Sequence, residues 1–131
     1  APFPWHFGGQ SHHNLFVDPW EINHFFKNNK QVSICLDTSH SMMACKHFGW
    51  DFYDFIDLVA PHISYVHLAD SLGVDGEGIE FGKGDIDFKL LLNALDRTNS
   101  STPFIPEVWQ GHINNGAGFW SALEFVEGLQ A

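Results

Sequence analysis

The chain has 131 residues, 44% hydrophobic and 15% aromatic, which is enough apolar side chain for one cored domain and excludes a disordered chain. Sixteen acidic residues against six basic ones set a net charge of −10, so neither nucleic acid nor an anionic membrane is an expected partner. No run reaches the roughly 18 apolar residues of a membrane span, and two cysteines, Cys35 and Cys45, are too few for a disulfide framework, so the expected setting is reducing and cytoplasmic.

The first stretch, Ala1 to Val17, holds Pro2, Pro4, Gly8, Gly9, His6 and the pair His12-His13 without periodicity, and reads as a long loop. Those histidines either line a pocket or stay solvated. The N-terminus lacks the basic and apolar regions of a signal peptide and has no initiator Met, so the expectation is a processed or partial chain. Asp18-Pro19 then supplies a cap and a first-turn proline for a helix with Trp20, Ile22, Phe25 and Phe26 on its apolar face. The β-prone run Val32 to Leu36 leads into Asp37 and makes Cys35 an inert buried thiol.

Gly49-Trp50-Asp51 opens a second helix, with Phe52, Phe55, Ile56 and Val59 at helical spacing and Pro61 closing it. Ile63 to Leu68 is the next strand, followed by a glycine-rich, acidic loop from Asp70 to Asp85. Asp87 to Leu95 makes a third helix, Pro103 to Val108 a third strand, and Phe119 to Leu129 a fourth helix. The expected class is α/β, three parallel strands alternating with four helices and joined by right-handed crossovers. Every strand is expected to run into a long polar loop, which places function at the carboxyl ends of the strands.

Those ends carry Asp37, His67 and Glu107. Two carboxylates and an imidazole suit a divalent cation such as Mn²⁺, Mg²⁺, Co²⁺ or Zn²⁺. Taken singly, each residue has a plainer explanation: a rim histidine, an aspartate bonding its own loop, a salt-bridge partner. Their shared placement at the strand mouths favours the ligand reading. Trp109, Gln110 and His112 follow Glu107 and either stack on a sugar face and bond its hydroxyls or simply pack the loop. Lys83 is the nearest cation for an oxyanion, although Asp75, Glu77, Glu80 and Asp85 around it argue against a phosphate cradle. Asp70 is expected to orient His67 or a loop amide from behind.

Four segments together resemble the xylose-isomerase-like barrels. Asp37-Thr-Ser-His40 is similar to their Asp-x-x-His element, and Val66-His67-Leu-Ala-Asp70 to their His-Leu-x-Asp strand end. Gly82-Lys-Gly84-Asp-Ile-Asp87-Phe88 resembles the turn that starts their next helix, and Glu107 falls where the family places its last metal carboxylate. The resemblance covers Val32 to the C-terminus. It implies that residues 1–131 form one partial domain, the C-terminal portion of a (β/α)₈ TIM barrel, with 1–17 an active-site loop and 18–131 the α–β–α–β–α–β–α body. A whole barrel takes about 250 residues, so the chain is expected to need the missing N-terminal half or to oligomerise.

By the same resemblance Asp37, His67 and Glu107 are metal ligands and His40 is a substrate contact or second-metal ligand. A further glutamate of the family pattern, at the end of the preceding strand, is not encoded here. The implied function is a divalent-metal-dependent sugar isomerase or epimerase. Glu107 and His40 serve a proton transfer α to a carbonyl through a metal-stabilised enediolate, on a small sugar or sugar-derived substrate. The alternative is a non-catalytic sugar-binding or structural half-barrel within a larger protein. An abasic-site endonuclease, which shares the barrel, is disfavoured by the charge of −10.

Overall fold

A computed structural model describes residues 16–99 and 102–130 of the chain. His6, His12 and His13 lie outside the described residues. Helix α1 (Pro19–Asn28) starts where the Asp18 carboxylate accepts the N–H groups of Trp20 and Glu21, with Pro19 in the first turn. Strand β1 (Ile34–Asp37) follows, and here the chain departs from expectation. Instead of a polar loop, helix α2 (Thr38–Phe48) begins at once, capped by Asp37 and ended by left-handed Gly49. Thr38, Ser39 and Ser41 are buried along with Met42, Met43, Ala44 and Cys45, so the buried side of the helix is not marked out by apolar residues alone. Without a stripe to read, its periodicity is invisible in the sequence.

Helix α3 (Phe52–Val59) is capped by the Asp51 carboxylate and runs through a 3₁₀ turn, Ala60–His62, into strand β2 (Ile63–Leu68). The glycine-rich segment is not a plain loop either. It folds into an antiparallel hairpin, β3 (Asp70–Leu72) and β4 (Gly76–Ile79). Asp87 caps helix α4 (Phe88–Asn99) by accepting the Lys89 and Leu90 N–H groups. Strand β5 (Phe104–Pro106) and helix α5 (Ile113–Gln130) complete the described chain. Asn114, Asn115 and Gly116 are left-handed, so the regular part of α5 begins close to the expected Phe119. The described residues thus hold five α-helices rather than four, the addition being α2.

The main sheet is parallel in the order β1-β2-β5. Strand alternation turns Leu36, Val66 and Leu68 toward the helices, where they meet Ile56, Val59 and Leu91 in the buried core. The opposite face carries Cys35, Tyr65, His67 and Ile105, none of them buried. Cys35 is therefore exposed, not the buried thiol its apolar neighbours predict. Its proton is nonetheless held: partial desolvation and the Asp37 and Glu107 carboxylates push the thiol pKa up. Burial pushes Cys45 up to about 12, and both thiols are free. No helix among the described residues is long and apolar enough to cross a membrane.

Candidate functional site

Parallel pairing sets Asp37 of β1 opposite His67 of β2, and the next strand brings Glu107 to the same rim through its N–H bond to the Leu68 carbonyl at 2.8 Å. One ligand atom from each of the three lies within 4.8 Å of the others. His67 Nδ1 stands 3.1 Å from a Glu107 carboxylate oxygen. Thr38, fully buried, ties the strand ends together: its hydroxyl donates to the Ala69 carbonyl at 2.7 Å and accepts the Ala69 N–H at 2.9 Å. Oxygen and imidazole donors converging from three strand ends fit a divalent cation.

Asp37 does two jobs beside this. One oxygen accepts the His40 N–H at 2.9 Å, and the other stands 2.7 Å from His40 Nδ1. Burial alone pushes the Asp37 carboxyl up. The His40 side-chain and backbone bonds, with the nearby His67, outweigh it and hold the group below the usual carboxylate value. For His40, burial pulls the pKa down, and the Asp37 and then the Glu77 carboxylates outweigh that and raise it. His40 Nε2 meets a Glu77 oxygen at 2.9 Å.

Glu77 arrives on β4. The sequence shows it only as one acidic residue in a glycine-rich run, because the hairpin has no hydrophobic alternation to announce a strand. Gly78 beside it clips both walls of the site. Its N–H donates to the Ser39 hydroxyl at 3.1 Å, and its carbonyl accepts the Trp109 N–H at 2.6 Å. Its φ of 61° suits glycine, and a Cβ there would stand 3.4 Å from the Trp109 nitrogen.

Between these walls lies a cavity of about 410 Å³, lined among others by Asp37, His40, Glu77, Glu107, Trp109, Gln110 and His112. Trp109 is 70% exposed, and Gln110 holds a left-handed φ of 59°. His67 borders a second hollow of about 460 Å³ beside α1, and Asp37 lines both. Lys83 is not brought to the site: it is exposed and lines neither cavity. The cause is Asp70. That buried carboxylate accepts the N–H groups of Ser71, Gly82, Gly84 and Ile86 at 2.8 to 3.2 Å, turning the amides on both sides of Lys83 inward. Of the two roles expected for Asp70, the structure places it on the loop amides rather than on His67. A Cβ at Gly84 would collide with that carboxylate and with the Ser71 carbonyl.

Parallel βα units with polar residues gathered at the strand ends agree with the family comparison. The chain matches the xylose isomerase-like TIM barrel family over residues 1–129 and belongs to it. That is a superfamily of the sugar isomerase and epimerase type, and the α/β architecture described above is a portion of its barrel. No curated protein matches the chain.

Proposed function

We propose that this chain contributes a divalent-metal centre for sugar isomerisation or epimerisation, with Asp37, His67 and Glu107 as ligands. The observation that carries the reading is the convergence of those three donors, within 4.8 Å, from separate strand ends. A cation bound there supplies Lewis-acid polarisation of a carbonyl and its adjacent hydroxyl. Glu107, more than half exposed at the cavity wall, removes the proton from the carbon α to the carbonyl and returns it. His40 borders the substrate from the fixed orientation that Asp37 and Glu77 give its ring. Trp109 covers an apolar sugar face, while Gln110 and His112 bond outer hydroxyls.

A fourth carboxylate, acting on the opposite substrate face, comes from barrel strands that continue the sheet from its edge strands β1 and β5. Those strands belong to a preceding segment or to an associated chain, and without them turnover is low.

The test is exchange of the α-proton of a free ketose in D₂O, followed by NMR with Mg²⁺, Mn²⁺, Co²⁺ or Zn²⁺ present, on the chain alone and with the closing half supplied. Exchange that disappears on adding EDTA and falls at least about a hundredfold in Glu107→Gln is the expected result. Exchange that survives both changes refutes the proposal. Calorimetric titration gives a second readout, since Asp37→Ala or His67→Ala should weaken cation binding at least about tenfold.

A further inference from the structure

The walls of the cavity also decide which sugars enter it, an inference that rests on the isomerase or epimerase reading. Glu77 is 39% exposed at its side chain, so a ligand reaches it, and one of its oxygens is already paired with His40. A carboxylate offers about four acceptor positions, so a hydroxyl placed in the cavity still finds a free acceptor in Glu77, while both His40 ring nitrogens stay against Asp37 and Glu77. The hairpin that carries Glu77 is held by Asp70, Ser39 and Trp109, so this acceptor is in place before any ligand arrives.

Charge supplies the second half of the argument. All six lysine and arginine residues of the sequence fall within the described residues, and none lines the cavity. Lys27 and Lys30 are at the end of α1, Lys46 pairs with Asp85, Arg97 pairs with Asp57, and Lys83 and Lys89 are exposed elsewhere. Asp37, Glu77 and Glu107 meet the cavity instead. A divalent cation offsets two of these charges and leaves the third opposite His40. An anionic group entering here would lose water and meet no lysine or arginine, and of the imidazoles lining the cavity, His40 and His112, the first is already held between two carboxylates.

We propose that Glu77 is a specificity-determining residue that accepts a hydroxyl hydrogen of an uncharged polyhydroxy aldehyde or ketone and rejects phosphorylated or carboxylated sugars. The test uses the full chain with Mg²⁺ and two probes, D-fructose and D-fructose 6-phosphate. Binding is followed by calorimetry and by the NMR signals of the His40 ring, assigned through His40→Gln. D-fructose should bind at least about tenfold more tightly than its phosphate and should move the His40 signals. Glu77→Gln should weaken D-fructose by about tenfold, the worth of one hydrogen bond to a charged acceptor. Glu77→Asp should recover part of that loss, and Glu77→Lys should reverse the preference.

Equal or tighter binding of the phosphate, unchanged affinities in Glu77→Gln, or no binding of either sugar each overturns the proposal. Thermal melts of the variants separate a folding defect from a binding one, and Glu77→Lys decides the matter if Glu77→Gln is unstable. A binding preference without proton exchange in D₂O would sink the isomerase reading and leave this one standing. Proton exchange with no preference between the probes would do the opposite.

Discussion

Asp70 and Asp37 are both aspartates at the carboxyl end of the sheet, and the chain treats them in opposite ways. Asp70 is wholly buried, and its two oxygens take up four backbone N–H groups of its own hairpin and loop. Asp37 keeps 14% of its side chain exposed, holds His40 with both carboxylate oxygens, and has a donor atom each of His67 and Glu107 within 4.8 Å. One carboxylate is saturated by the fold; the other is held by the fold but left able to bind something else. Aspartates next to strand ends therefore separate by what satisfies them, and sequence position alone does not reveal it.

The largest way to break the comparison is Asp70→Ala. It strands four backbone donors, two of them buried and two partly buried, and the expected loss is about 3–5 kcal/mol in denaturant unfolding. A loss under about 1 kcal/mol would show that water or a shifted loop replaces the carboxylate. Asp37→Ala should be milder for the fold, about 1 kcal/mol, the worth of an N-cap, while it removes one of the three donors proposed to hold a cation. If Asp37→Ala destabilised the chain as much as Asp70→Ala, the division between the two carboxylates would be false.

The smallest effect lies in pH. Asp37 is held below its ordinary value of 3.8, so its contribution to stability is present above that pH and is lost as pH falls through the lowered value. His40 is held above its ordinary 6.5, so its contribution is full below 6.5 and is lost as pH rises through the raised value. Both act fully between these two pH values. Chemical denaturation at a series of pH values without metal should show stability declining above that window, and His40→Gln should flatten the decline. A decline of the same steepness in His40→Gln would assign it to other groups.

Much of this arrangement is legible in the sequence. Asp18-Pro19 and Asp87 announce their helices because a cap and its first turn are local. Apolar runs that stop at Asp37 and His67 announce two strand ends, and alternating βα order brings those ends together. What stays hidden depends on the tertiary fold. Helix α2 is buried along most of its length, so its polar Thr38, Ser39 and Ser41 look like loop residues. Cys35 reads as buried because its neighbours are apolar, yet strand alternation turns it to the uncovered face. Glu77 cannot be picked out from Asp75, Glu80 and Asp85 until the hairpin delivers it to His40.

The run from Gly73 to Gly84 has the composition of a flexible flap. The bonds at Gly78, with those Asp70 makes to Gly82 and Gly84, turn it into a fixed wall instead. A fixed wall changes the kinetics of the site. Catalytic flaps open and close in microseconds to milliseconds and often limit turnover. Here the Gly78 carbonyl and the Trp109 amide part only when hairpin and strand exit separate, so slow hydrogen exchange at Trp109 would report that opening. Under the proposed function, a ligand then enters beside the hairpin without waiting for a glycine flap to open.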